Sequence, residues 1–313
     1  MVTVSRPDAV NVAVGVVGPT ASGKSALAVE LCRRLGSAEI VNADSMQLYR
    51  GMDVGTAKIT EAEMAGVRHH LLDVLEVTQP ATVAEFQGWA RAAIADCHAR
   101  GVTPVVVGGS SLYIRAIVDR LEFPGTDADV RARWEGELAS RGAVALHGVL
   151  TEQDPDAAAQ ILPSNGRRIV RALEVIELTG KPFTATLPPY ESVYGDVVLI
   201  GLDVPRDVLD ARIADRVDRM WAGGLVDEAR SLLPAGLARG LTASRALGYR
   251  QVLEFLAGDV AEDEAREATI AGTRAFARRQ DRLFRKDPRI HWLAYDSPSL
   301  VDDALALTRG HLD

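Results

Sequence analysis

Cysteine is nearly missing from these 313 residues: only Cys32 and Cys97 occur. They lack the spacing of a metal site or a disulfide framework, and both fall in stretches that read as helix, so both are expected to be core thiols. No apolar run reaches membrane-spanning length, and residues 1–10 lack the charged and apolar regions of a secretory signal, so a cytoplasmic protein away from membranes is expected. Internal repeats and low-complexity segments are also missing. Positive charge is in deficit, giving a formal net charge of -8, which argues against wholesale non-specific nucleic-acid binding. Net charge averages over faces, however, and the basic residues cluster near the C-terminus. What remains is a chain 47% hydrophobic and 25% charged, able to bury one large core, or a core and a smaller second domain.

The valine-rich run 12–17 ends in glycine and predicts a buried parallel strand, and 24–35 then shows helical periodicity. Residues 39–41 predict a second strand, 82–99 a long helix, and 105–107 a strand that stops at Gly108-Gly109. This alternation predicts a parallel sheet covered by helices. From Pro124-Gly125 onward, 130–141, 155–161 and 167–178 read as helix, with no strand pattern until 197–204. Residues 124–190 are therefore expected to be a helical insertion between two parts of one core, 1–123 and 191–313. Further helices are expected at 203–220, 225–233, 242–256 and 261–287, then a short strand at 290–293.

Gly18-Pro19-Thr20-Ala21-Ser22-Gly23-Lys24-Ser25 fits G-x-x-x-x-G-K-[ST] between a predicted strand and a predicted helix, the context the motif requires. The fold class expected is thus α/β, P-loop NTPase-like. Small residues let N–H groups close around phosphate oxygens, the helix N-terminus points at the anion, Lys24 adds a point charge, and Ser25 offers a hydroxyl to Mg²⁺. The loop specifies phosphate, not nucleotide, because a terminal diphosphate on any carrier presents the same oxygens. An ATPase or kinase adds a carboxylate at the end of an apolar strand to organise magnesium. Here the 105–107 strand ends in Gly108-Gly109-Ser110-Ser111, which weakens an ATP-consuming reading; Asp44, past the 39–41 strand, stays a candidate for that role. Residues beyond the C-terminal ends of strands line the crevice of an α/β sheet, so Asp44, Ser110 and the phosphate loop are expected on one rim. Asp44 and Ser45 taken alone read equally well as helix caps.

Downstream of that loop stand Asp44-Ser45-Met46-Gln47-Leu48-Tyr49-Arg50-Gly51-Met52-Asp53-Val54-Gly55-Thr56-Ala57-Lys58, His69-His70-Leu71-Leu72-Asp73, Val107-Gly108-Gly109-Ser110-Ser111-Leu112-Tyr113, Arg168-Ile169-Val170-Arg171-Ala172-Leu173-Glu174-Val175 and Leu247-Gly248-Tyr249-Arg250. Together they closely resemble the tRNA dimethylallyltransferase family, in family order and over nearly the whole chain. The resemblance implies transfer of a dimethylallyl group from dimethylallyl diphosphate to N6 of the adenosine immediately 3′ of the anticodon, in tRNAs reading codons that begin with U. It implies Asp44 as the proton acceptor, and Arg216 beside Lys24, the loop N–H groups and Mg²⁺ on Ser25 at the leaving diphosphate. Ser110 stands where the family usually has threonine, keeping the hydroxyl but losing the methyl that fixes its rotamer. Ile59 replaces a usual proline and Arg167 a frequent glutamine, both expected to lie away from the chemistry. Contacts to the tRNA anticodon stem-loop are implied for Asp44, Ser45, Met46, Gln47, Ser110, Arg131, Arg167, Arg168, Ile169, Val170, Arg171, Arg245, Gly248, Tyr249, Arg250, Arg274, Arg278, Arg279 and Arg282.

The densest basic stretch, residues 273–286, supports an anionic partner. On a helix Arg274, Arg278, Arg282 and Arg285 share a stripe of about 80°, with Phe276, Leu283 and Phe284 on the packing side. Only Asp281 and Asp287 are near enough in sequence to offset these arginines locally. Arg167, Arg168 and Arg171 open a predicted helix, where cations oppose the helix dipole unless phosphate, or Glu174 and Glu177 a turn away, offsets them. A stacked adenine has to flip out to reach a crevice of this kind, and the insertion is expected to close over the loop. His69-His70 reads as structural, Trp89 and Trp134 as packing residues, and the protein as a monomer. Competing readings are a small-metabolite kinase, betrayed by ADP, an RNA-binding protein with a nucleotide switch, and an enzyme prenylating free adenine nucleotides, against which the basic face argues.

Overall fold

β1 (Ala13–Val17) is apolar and fully buried because it runs through the middle of a six-stranded parallel sheet. The computed structural model describes residues 13–183 and 188–312; residues 1–10, read for a signal, and Val12 lie outside them. β1 pairs on one side with β4 (Thr103–Gly108) and on the other with β5 (Val197–Asp203). The order is completed by β2 (Ala38–Asn42) and the two-residue β3 (His69–His70) beyond β4, and by β6 (Ile290–Ala294) beyond β5. Strands β2, β4 and β1 are therefore neighbours, and their C-terminal ends bring Asp44, Gly109-Ser110 and Gly18 to one edge, as expected of a parallel sheet.

Helices cover both faces. In chain order they are α1 (Lys24–Leu35), α2 (Glu61–Met64), α3 (Val83–Ala99), α4 (Ser111–Val118), α5 (Ala128–Arg141), α6 (Ala143–Gln153), α7 (Pro155–Gln160), α8 (Gly166–Thr179), α9 (Arg206–Ala222), α10 (Leu225–Leu232), α11 (Tyr249–Ala257), α12 (Glu262–Phe284) and α13 (Leu300–Leu312). Valines 14 and 16 of β1 face one apolar cluster with α1, and Val17 faces the other. This alternation is what buries a central strand on both sides.

The chain divides into two compact units, one formed up to Arg120 and from Glu191 on, the other Leu121–Tyr190. The second is all helical, α5 to α8 around Leu146, Leu150, Ile169, Val170 and Leu173. Asp154 explains one of its corners: its carboxylate caps α7 through the Ala157 N–H and also accepts from the Phe183 N–H.

Several expectations change. α6 was not anticipated, because its apolar residues point all round the helix and blur the period. α4, α13 and β3 were also unanticipated. The helix expected at 203–220 starts at Arg206, since β5 runs on through Asp203 and Pro205 fits only the helix entrance. The helix expected at 242–256 is a 3₁₀ turn, Ala243–Arg245, and then α11, broken at Gly248 with φ 91°. No helix of the described residues is long and apolar enough to cross a membrane.

Candidate active site

The chain leaves β1 through three left-handed residues, Gly18 (φ 141°), Ala21 (φ 64°) and Gly23 (φ 100°), a backbone that curls its N–H groups inward. α1 then begins with no side-chain cap and no acidic residue in its first turn, so its leading N–H groups are left for an anion. The exposed Ser25 follows Lys24, whose Nζ lies 3.4 Å from the Pro19 carbonyl. Burial pulls the Lys24 ammonium down to about 8, opposed by the nearby Asp44 charge and assisted by Arg216.

Asn42, at the end of β2, fixes Asp44. Its amide donates to the carbonyls of Asp44 and Leu71 and its oxygen accepts the Asp44 N–H. One Asp44 carboxylate oxygen accepts the Met46 N–H at 3.0 Å, so the residue does cap a turn, while its second oxygen has no partner among the described residues. Ser45 lies beside the Tyr113 hydroxyl, whose pKa burial pushes up to about 12 and Ser45 draws back down. Gln47 donates to the Thr56 and Ala57 carbonyls, and Met46 packs against the core. At the end of β4, a Cβ on Gly108 would sit 2.5 Å from the Ala43 carbonyl oxygen, so only glycine lets β4 pass this close to the Asp44 turn. Ser110 is the first residue of the α4 cap, yet its hydroxyl makes no capping bond.

One cleft is lined by Thr20, Lys24, Ser25, Asp44, Gln47, Gly108 and Arg216, with Ile40, Ile59, Leu72 and Val107 as the apolar part of its wall. Ser110, expected on the same rim, is not among the lining residues. Ile59, expected to lie away from the chemistry, is thus a wall residue: the loop after Lys58 turns back along the cleft. Arg216 comes from α9 and donates to the Thr56 carbonyl at 3.2 Å. Burial draws its pKa down and Asp44 opposes the shift. One turn earlier Arg212 donates to the Ser22 carbonyl of the phosphate loop and covers the Tyr295 ring. Sequence reasoning missed Arg212, although its spacing of four from Arg216 was a usable signal.

The loop carrying Thr56 is clamped. Glu228 of α10 accepts the N–H groups of Asp53, Val54 and Gly55 at 2.9, 2.7 and 3.1 Å and the Tyr249 hydroxyl at 2.5 Å. A Cβ on Gly55 would meet the Tyr249 ring at 2.5 Å. From the other side the Lys58 ammonium binds Asp53, Asp73 and the Tyr49 carbonyl. Both Glu228 oxygens must accept, so Glu228→Gln, which turns one of them into a donor, is expected to cost about 2 kcal/mol of unfolding free energy, read as a lower midpoint in urea.

The two histidines diverge. His70 lies 2.7 Å from Glu39, whose two oxygens also hold the Arg100 guanidinium, with Cys97 Sγ 3.6 Å from Glu39. Arg100 holds Glu39 down at about 2, and burial pushes Cys97 up to about 11. Arginine occupies the carboxylate that a cation would need, so this group braces β2, β3 and α3. His69 instead lines the cleft. Its Nδ1 lies 2.8 Å from the Val67 carbonyl, which can only accept, and burial lowers its pKa. The neutral ring therefore leaves Nε2 as an acceptor. Sequence reasoning had assigned His69 to structure alone.

A sequence model described as IPP transferase matches residues 47–287. A tRNA dimethylallyltransferase of Thermobifida fusca is 63% identical over 304 residues, covering 96% of this chain and 95% of its own, and one from a Nocardioides species is 58% identical over 300 residues, covering 96% of each. The chain belongs to the tRNA dimethylallyltransferase family. A solved family structure, the full-length tRNA isopentenylpyrophosphate transferase of Bacillus halodurans, matches with TM-score 0.71 and 39% identity over 96% of this chain and 97% of its own.

The positions that match the family's tRNA contacts are less uniform than the resemblance implied. Tyr249 is 0% exposed and Gly248, Ile169 and Val170 are buried, so the side chains of Tyr249, Ile169 and Val170 pack inside and only backbone at these positions is left to meet a partner. Arg131 and Arg171 both bind the fully buried Glu174, and Arg171 also donates to the Pro124 and Gly125 carbonyls. Burial pushes Glu174 up, but Thr126, Arg171 and Arg131 overcome it and hold the carboxyl below its usual range. Glu177 is taken by Arg133 and Trp134, not by the arginines that open α8. Arg167 is exposed with no partner among the described residues, and Arg168 lies beside it on α8.

On α12 the expected packing side is wrong in part. Phe284 is buried but Phe276 and Leu283 are exposed, because the inward stripe runs through Ala277, Gln280 and Phe284. The arginines also have acids from distant sequence. Arg274 donates to the Asp210 carbonyl, Arg278 lies 3.8 Å from the Asp210 carboxylate, and Arg285 pairs with Asp203 and Asp281 over the Trp292 ring. Arg279 and Arg282 are exposed without partners among the described residues, as is Arg245; exposed Arg250 faces Glu254 at 3.8 Å.

Proposed function

We propose that this protein transfers the dimethylallyl group of dimethylallyl diphosphate to N6 of the adenosine immediately 3′ of the anticodon, in tRNAs reading codons that begin with U. The observation that carries this reading is the cleft itself: a phosphate loop, two cations, one half-free carboxylate and an apolar wall in one place. The loop N–H groups, Lys24 and Arg216 hold the diphosphate, and Ile40, Ile59, Leu72 and Val107 suit the five-carbon chain. As the C–N bond forms, the allylic C–O bond breaks and its electron pair leaves on the diphosphate, where Lys24 and Arg216 meet the developing charge. Asp44 accepts the amine proton through its free oxygen. The hydroxyl of Ser110, uncommitted to its helix, serves the bridging oxygen or the nucleotide.

Mg²⁺ fits this donor set. Ser25 offers an exposed hydroxyl with no partner among the described residues, and Mg²⁺ is normally held by one or two protein oxygens together with substrate phosphates and water. Bound there, it would neutralise charge on the leaving diphosphate. The unpartnered Arg279, Arg282, Arg245 and Arg167 are the cations best placed to meet RNA phosphates, and transfer in the cytoplasm by a monomer is the simplest setting.

Incubation with dimethylallyl diphosphate, Mg²⁺ and unmodified tRNA should yield prenylated adenosine by mass spectrometry, without ADP formation when ATP is added. No product on tRNAs carrying adenosine beside the anticodon sinks the proposal. The pH dependence follows from Lys24. Its charged form binds the donor, so kcat/KM for dimethylallyl diphosphate should fall about tenfold per pH unit above about 8. Lys24→Arg should remove that break; a profile flat to pH values well above it would mean Lys24 stays charged in the free enzyme.

A further inference from the structure

The basic helix α12 reaches the diphosphate loop through a single buried amide. Gln280 is 6% exposed; its Oε1 accepts the Thr20 N–H at 2.9 Å and its Nε2 donates to the Gly109 carbonyl at 2.7 Å. The amide's orientation follows from its partners, since a backbone N–H only donates and a carbonyl only accepts. Thr20 belongs to the phosphate loop, and Gly109 immediately precedes Ser110. A Cβ on Gly109 would lie 2.6 Å from Gln280 Nε2 and 3.4 Å from the Gly18 carbonyl oxygen, so glycine at 109 is what lets the amide reach both strands' ends. Arg279 and Arg282, one residue before it and two after it on the helix, are exposed without partners among the described residues.

We propose that Gln280 is a positioning residue for the donor diphosphate. It fixes the Thr20 backbone and the Gly109-Ser110 backbone at one spacing, and it ties both to the helix whose outer face carries the free arginines. It also removes one phosphate-loop N–H from the set that faces the ligand. Only a group with a donor on one arm and an acceptor on the other can do this: methionine has no donor and only a weak acceptor, and an ionised glutamate would turn its second oxygen against the Gly109 carbonyl. A protonated glutamate restores the pattern. The inference rests on the reading that the loop holds the donor's diphosphate.

Gln280→Met should raise KM for dimethylallyl diphosphate about tenfold, a larger change than any in kcat at saturating donor or in KM for tRNA, to which Gln280 contributes only through Ser110. Gln280→Glu should match that defect near pH ~8 and lose most of it near pH ~6, where a carboxyl buried against a carbonyl regains its proton. Each variant is compared with the wild type at the same pH, because Lys24 titrates nearby. Calorimetry with inorganic pyrophosphate should show the same pattern in Kd. A KM and a pyrophosphate Kd unchanged in both variants would overturn the proposal, as would an equal defect of Gln280→Glu at both pH values. If Gln280→Met does not fold, the pH rescue of Gln280→Glu still decides. Should the wild type transfer no prenyl group, the proposed activity fails while pyrophosphate binding continues to test Gln280.

Discussion

Asp44→Asn should lower the rate of prenyl transfer about 100- to 10,000-fold, the range that removing a positioned general base usually spans, while tRNA binding changes little. Asparagine is the sharper test than alanine because of what Asp44 does locally. Its Oδ1 accepts the Met46 N–H, and Asn42 brackets its backbone. An asparagine oxygen keeps the Met46 bond, so the turn survives and only the proton acceptor is lost. Alanine removes both, and its larger effect on stability would report the turn. Single-turnover transfer measured beside filter binding of the same tRNA separates the two. An Asp44→Asn enzyme with weakened tRNA binding and near-normal turnover would make Asp44 an RNA contact or a brace, not a base.

Arg216→Gln should cost about 100- to 1,000-fold in the transfer step, the scale found when one preorganised group at a developing charge is removed. Arg216 lines the cleft and is held there by the Thr56 carbonyl, which in turn sits on the loop that Glu228 and Lys58 clamp. Its charge is therefore fixed before the donor arrives and needs no rearrangement as the C–O bond breaks. Arg216→Lys should recover part of the loss, because an ammonium replaces the charge but lacks the planar fork that binds the carbonyl and the anion together. Rates at saturating donor and tRNA decide the matter. A drop confined to donor affinity, with the saturated rate intact, would place Arg216 in ground-state binding alone.

The parts of the site that a reader of the sequence can find are those written contiguously. The phosphate loop is local: Gly18 to Ser25 carries its own backbone geometry, and the strand before it and the helix after it were plain in valine content and periodicity. Asp44 was visible because a strand end in a parallel sheet is a predictable address. His69 and Glu228 were hidden, and Arg212 was signalled only by its spacing from Arg216, since what makes each matter is a partner far along the chain: Ser22 for Arg212, the pairing of β3 with β2 for His69, the 53–55 loop for Glu228. The α12 stripe shows the reverse error. Sequence proximity offered the arginines only Asp281 and Asp287, whereas Asp203 and Asp210 arrive from β5 and α9. Tyr249 likewise sits in a motif shared with the family, yet its ring packs on Gly55 and its hydroxyl serves Glu228, so the motif marks an internal joint.

The central place of β1 bears on how the protein is made. In the finished sheet Val16 lies between Val107 and Ile200, so β1 is made well before either of its neighbours and has no partner until they emerge. Its apolar residues must wait as nascent chain, and the loop that follows it lacks the sheet that frames it until those strands have been made. Pairings of such long sequence separation form slowly, which makes this early valine-rich segment the stretch of the newborn chain most in need of shielding from aggregation.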